Sequence, residues 1–355
     1  MASGKRYEGV QALRFIAALL VVATHSTLYA SDRLDPSIEV WHLGEVGVDI
    51  FFTISGFVMV VSTGSLVGTR DGWKYFGMRR LVRIAPMYWI ATSLKVVTVI
   101  AIPSAAIHSS LQPANTVLSY VFLPSWNSEG RLEPVLGVGW TLTYEMFFYA
   151  VFTLALLVRV SPMWFCSGVL GACALATLLR PSDGNYPAAM FYLSPIVLYF
   201  VVGMAIGRWS QNRDWKGLLA TLGAVVVLWT VIAFGRPELS DVDSVSAVIR
   251  NVAVSALLLA VVGFERHLRR VPRSIVFLGD ASYSLYLFHP LVAPLVPIAI
   301  GIVGVRVGWV SVVGSIAAAI VAAALIYRLV EMPMTAFLRE RLPYMKQRSP
   351  APIES

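Results

Sequence analysis

Apolar residues run through this chain in long blocks separated by short polar stretches, and the blocks set its architecture. They fall at about 10–30, 46–67, 84–103, 114–126, 135–158, 162–179, 188–206, 217–234, 246–264, 282–304 and 307–330. Most approach the roughly 20 residues a helix needs to cross a bilayer. The pattern predicts an all-α, polytopic integral membrane bundle. One membrane domain is expected over residues 1–334, with a tail over 335–355.

Eleven crossings would put the two ends of the chain on opposite sides, and the loop charges decide against that. Lys5 and Arg6 place the N-terminus inside by the positive-inside rule. Arg14 within the first apolar block argues against a cleaved signal peptide, so this block is a retained span. Loop 31–45 sets Asp32, Asp35, Glu39 and Glu45 against Arg33 and belongs outside. Loop 68–83 sets Arg70, Lys74, Arg79, Arg80 and Arg83 against Asp71 and belongs inside, and residues 104–113, carrying His108, return outside. If block 114–126 spanned, the basic loops 208–216 and 265–273, the second holding Arg266, Arg269, Arg270 and Arg273, would lie outside. Kept as a short re-entrant or interfacial element on the outer side, it returns every basic loop to the inside. Ten full spans with both termini cytoplasmic are therefore expected.

Composition agrees: 57% of the 355 residues are hydrophobic and 14% charged, against about 25% charged in soluble domains. The formal charge of +8 comes from clusters between spans, and the aromatics lie in the apolar tracts. That arrangement excludes a nucleic-acid surface. Cys166 and Cys173 sit seven apart on one apolar block, about 10 Å along a helix and beyond disulfide reach. They are packing residues. The five histidines are scattered without metal-ligand spacing. No repeat of 20–50 residues and no inverted pair of broken spans is evident.

Within the apolar blocks a few residues belong in water. In "RFIAALLVVATHS", Arg14 and His25 are eleven apart, three helical turns plus about 20°, so they share a face about 16 Å apart along the axis. Two polar residues on one stripe suggest a lined passage. Arg14 fits equally a side chain that snorkels to headgroups, whereas His25, ionising near neutrality, suits proton transfer. Glu145, in "GWTLTYEMFFYAVF", lies about 15 Å into its span from the outer side, at the estimated level of His25. A carboxylate there needs a partner, with His25 and Arg14 the candidates and a structural ion pair the alternative. His289, in "GDASYSLYLFHPLVAP", precedes Pro290, which frees a backbone carbonyl near Tyr286. It fits a packing contact with that carbonyl as well as a catalytic role. Asp49, in "GVDIFFTISGFVMV", stands near the outer end of its helix. In "MRRLVRIAPMYW", Arg79, Arg80 and Arg83 share a broad helix face on the inner side. Guanidinium forks there suit phosphates, and they also anchor topology.

Taken together, the Arg-ten-residues-His pattern, "GVDIFFTISGFVM", "RRLVRIAPMYW", "WTLTYEMFFY" and "GDASYSLYLFHP" resemble the acyltransferase-3 family of integral-membrane O-acyltransferases. Within it the likeness is to exopolysaccharide O-acetyltransferases of the succinoglycan type. The motifs run in order from Val10 to "EMP" at Glu331–Pro333. The resemblance implies transfer of an acyl group, usually acetyl, from cytoplasmic acyl-CoA to a sugar hydroxyl of a cell-surface or lipid-linked polysaccharide. Location in a bacterial inner membrane follows from it. Acyl-CoA would be a co-substrate, with no tightly bound cofactor. It carries over Arg14 and His25 as the Arg–His motif, Arg79, Arg80 and Arg83 as the basic motif that binds the donor, and Glu145 as the intramembrane acid. Asp49, Trp140, Tyr144 and His289 are the expected substrate-binding residues. Chemically, His25 oriented by Glu145, directly or through a water, would act as base on the hydroxyl or carry the acyl group itself, and Arg14 or backbone donors would steady the thioester oxygen. A proton-coupled transporter or flippase of a glycan or lipid-linked intermediate is the rival reading.

Overall fold

In the computed structural model, residues 7–102, 111–181, 186–239, 242–268, 270–304 and 307–341 are described. Lys5, Arg6, His108, Arg269 and the expected tail beyond residue 341 lie outside them. Among the described residues every regular element is helical. In chain order they are α1 (Glu8–Arg33), α2 (Val46–Thr63), α3 (Gly72–Ala101), α4 (Pro113–Tyr120), α5 (Trp140–Leu157), α6 (Pro162–Ala176), α7 (Leu198–Asn212) and α8 (Trp215–Gly235). There follow α9 (Ser244–Gly263), α10 (Glu265–Leu268), α11 (Arg273–Asp280), α12 (Ser282–Val292), α13 (Leu295–Ile302) and α14 (Gly308–Ile326). A π-turn (Tyr327–Glu331) then leads straight into α15 (Met332–Arg341), so the expected domain boundary at 334 falls inside a helix.

Nine helical stretches among the described residues are long and apolar enough to cross a membrane. Their outer faces fit: Leu219, Val227, Ile249 and Leu257 on α8 and α9 are exposed, as side chains that meet lipid should be.

Two apolar blocks are not simple spans. The 114–126 block holds only α4, eight residues beginning at Pro113, and the chain turns at Phe122 with a positive φ. The Trp89 indole of α3 donates to the Tyr120 carbonyl at 2.8 Å, so the last turn of α4 lies against the second half of α3. It does not span. The 188–206 block is also not one full span. Pro187 and Pro195 break it into two short 3₁₀ turns, followed by the 15-residue α7. At about 22 Å, α7 is too short to cross hydrocarbon alone. It survives because it is interior: Leu198 to Gly207 are all buried.

Small residues make that interior position possible. A Cβ on Gly203 of α7 would overlap the Thr53 carbonyl oxygen of α2, and one on Gly56 of α2 would overlap that of Phe200. The two backbones touch, the usual way helices associate where lipid removes the hydrophobic drive.

Contacts sort the loops into two ends. At one, the Glu265 carboxylate accepts from the Glu8 N–H at 2.6 Å and from the Gly9 N–H at 3.2 Å, capping α1 from the far side of the sequence. The rings of Tyr7 and Phe57 meet edge-on there, and Gln211 donates to the Val60 carbonyl. This end gathers the loops that carry Arg70, Lys74, Arg208, Arg213, Arg266 and Arg270. At the other, Thr24 donates to the Trp41 carbonyl and Arg236 to that of Arg180. The basic loops thus share one end of the bundle, as their charges require.

Candidate active site

Arg14, Ala18, Val22 and His25 follow one another at four, four and three residues along α1, so the shared face holds. The expected passage between them does not. Ala18 and Val22 are fully buried against Leu285 of α12 and Ala319 and Ala323 of α14. Small side chains let three helices close on that stripe, and side chains fill the space between Arg14 and His25.

The open space runs beside the stripe. A cavity of about 140 Å³ is lined by Arg14, by Phe51, Phe52 and Ser55 of α2, and by Arg80 and Arg83 of α3. Thr141, Glu145 and Tyr149 of α5, Tyr283 and Tyr286 of α12 and further apolar side chains of α2, α3 and α5 also line it. A void near 150 Å³ admits a benzene-sized group, enough for a short acyl chain.

One of its arginines is paired with a carboxylate. Arg83 donates to Glu331 at 2.7 Å, and the other Glu331 oxygen accepts from Ser284 Oγ at 2.6 Å. Glu331 is 1% exposed and sits in the π-turn, a backbone irregularity that recurs at functional sites. Glu145 accepts from Ser55 Oγ at 3.0 Å and from the Tyr149 hydroxyl. Arg80 donates to Ser62 Oγ at 2.7 Å and lies over the rings of Phe76 and Tyr149. Arg14 has Gln11 at 3.3 Å. Among the described residues neither Arg14 nor Arg80 has a close carboxylate partner, so both can meet an anion entering the cavity. Arg79 turns away, exposed and 6.0 Å over the Tyr75 ring. The three arginines therefore do not form one fork.

His25 is elsewhere. Its Nδ1 lies 2.9 Å from the Val21 carbonyl, and its ring centroid is 4.9 Å from that of His289. His289 repeats the arrangement, with Nδ1 3.2 Å from the Leu285 carbonyl, on the turn just before Pro290. A carbonyl only accepts, so each Nδ1 carries the proton and each Nε2 the lone pair. The pairing of His25 with Glu145 is thus not seen. Equal depth put them level, but their helices present them to different neighbours, and a backbone carbonyl orients His25 instead. One layer separates the two places: Tyr286 lines the cavity and its ring lies 6.1 Å from that of His289.

The other expected binding residues are built into the packing. Asp49 is buried with Arg250 Nε of α9 at 3.5 Å. Tyr144 donates to the Phe191 carbonyl at 2.5 Å and stacks on that ring, and Trp140 meets Phe52 and Tyr144 edge-on. None of the three lines the cavity. Among the described residues no group of three His, Cys, Asp or Glu side chains is placed to hold a metal. Cys166 and Cys173 are free. Glu331, Ser55, Tyr149 and Arg250 are polar residues the sequence reading passed over. Glu331 was detectable as a carboxylate ending an apolar block.

A family model described as an acyltransferase domain matches residues 7–328. The chain is 32% identical to the exopolysaccharide production protein ExoZ of Rhizobium meliloti, over 70% of this chain and 76% of that one. It is 25% identical to the acyltransferase MdmB of Streptomyces mycarofaciens, over 99% and 97% of the two chains. Nodulation protein 10 of Rhizobium leguminosarum is 26% identical, over 90% and 91%. No solved structure matches the chain.

Proposed function

The chain belongs to the acyltransferase-3 family, and from that premise we propose that it moves an acyl group, acetyl in the simplest case, from acyl-CoA to a sugar hydroxyl of a cell-surface or lipid-linked polysaccharide. The donor enters at the end that gathers the basic loops, which is cytoplasmic in a bacterial inner membrane, with both termini on that side. The observation that carries this reading is the cavity: Arg14 and Arg80, cations without a close carboxylate among the described residues, line a space of acyl-chain size. It lies one aromatic layer, Tyr286, from His289, whose ring in turn meets that of His25. The similarity to a protein named for exopolysaccharide production supports the acceptor class.

In the proposed reaction the acceptor hydroxyl gives its proton to His25 Nε2 as its oxygen attacks the thioester carbon. The Val21 carbonyl, holding Nδ1–H, keeps that lone pair in place. Arg14, three helical turns from His25, guides the donor where it enters the cavity and does not meet the reacting carbonyl. Arg80 meets the donor's phosphates, and Arg83 is tied to Glu331 as part of the wall. Glu145, held by Ser55 and Tyr149, balances the arginines and takes no part in the proton transfer.

The test is thiol release from acetyl-CoA by the purified protein in detergent, with an O-deacetylated bacterial exopolysaccharide as acceptor. Glycan-dependent release is expected without a sealed compartment. Protein that moves glycan across vesicles yet releases no thiol would be a transporter, and the reading would fail.

A further inference from the structure

The free lone pair on His289 has no donor among the described residues. Its Nε2 is fully buried and makes no hydrogen bond, a state that costs free energy in a protein interior. The ring is 1% exposed, so no substrate reaches it directly. His25 is the contacting group able to become a donor. The two rings are 4.9 Å apart and tilted by 58°, and their placement is not accidental. Ala18 and Val22 on α1 pack on Leu285 of α12, and one turn further along the same rows come His25 and His289. Neutral His25, with its proton on Nδ1 toward Val21, has nothing to offer. Once protonated on Nε2 it carries two N–H groups.

We propose that His289 is the proton-holding partner of His25: it accepts from His25 the proton taken off the acceptor hydroxyl and returns it for the leaving thiol. This rests on the reading of His25 as base. His25 is half-buried and tethered at one nitrogen, so a swing of its ring carries Nε2 from the acceptor side to His289. The acceptor O–H bond breaks, the oxygen–acyl bond forms and the carbon–sulfur bond breaks, with the electron pair leaving on sulfur. The proton passes from oxygen to His25, is shared with His289 while sulfur leaves, and returns through His25 to the thiolate. Both imidazoles end neutral. The gain is electrostatic, because a lone imidazolium is costly away from water and sharing its proton spreads the charge. His289 touches His25 and not the substrate, so it is a positioning residue.

His289→Ala and His289→Gln are compared with His25→Ala in detergent, using acetyl-CoA and O-deacetylated exopolysaccharide, with kcat, donor KM and melting temperature recorded. Both His289 variants should lose about 100-fold in kcat at unchanged donor KM. Added imidazole should restore part of the kcat of His289→Ala, filling the space the ring vacates. Wild-type kcat in His289→Ala, or full activity in His289→Gln, which cannot hold the proton, overturns the relay. So does a loss that follows melting temperature alone and ignores imidazole. If His25→Ala is also active, the reading of His25 itself fails; if only the His289 variants are active, the relay alone does.

Discussion

Arg83 of α3 and Glu331 of the π-turn meet at 2.7 Å across 248 residues of sequence. Ser284 of α12 holds the second carboxylate oxygen. The pair ties the last helices of the chain to the third and closes one wall of the cavity.

Removing one member should therefore hurt more than removing both. Glu331→Gln leaves Arg83 uncompensated, and the loss of one partner of a buried pair costs about 3–5 kcal/mol. The double variant Arg83→Gln/Glu331→Gln should recover a large part of it. Melting temperatures in detergent check this. Single variants as stable as wild type would mean that the pair carries no structural load.

Arg80 is the cleaner probe of donor binding. Arg80→Gln should raise the acyl-CoA KM with little change in kcat. Losing a charge-assisted contact costs about 1.5–3 kcal/mol, or roughly 10- to 150-fold in affinity. Arg79→Gln should change KM little, since Arg79 points away from the cavity. Equal effects from the two would show that the cluster works as a diffuse charge.

The contact of α2 with α7 predicts a steric failure. Gly203→Ala pushes a Cβ into the Thr53 carbonyl, and overpacking of this kind costs about 1–3 kcal/mol or more. A lower melting temperature and a poorer yield of monodisperse protein are expected. An unchanged melting temperature would mean the helices can part at no cost.

Reporter fusions test the orientation. Fusions after residues 75, 212 and 270 should report the cytoplasm, and one near 130 the outer side. A cytoplasmic 130 with an external 212 would reverse the assignment and make the 114–126 block a span.

Much of this was legible in the sequence because helical period is strong in apolar tracts. The eleven-residue spacing puts Arg14 and His25 on one face, and the structure keeps them there. The period does not say what packs on the face between them, so the closed Ala18–Val22 stripe was invisible. Depth estimates placed Glu145 level with His25, yet depth carries no azimuth, and the partners are Ser55 and Tyr149. The Arg83–Glu331 pair depends on a π-turn and on contacts across 248 residues, for which local pattern has no signature. Pro187 and Pro195 could have flagged the break before α7, but the apolar run around them reads as one block.

The central claim, that His25 is the base, is tested most directly by His25→Ala, purified, folded and shown to bind acetyl-CoA. Its rate of glycan-dependent thiol release is then compared with wild type. The account predicts no transfer above background with donor binding retained, because the other imidazole, His289, is 1% exposed and out of the acceptor's reach. Release at a rate near wild type would contradict it.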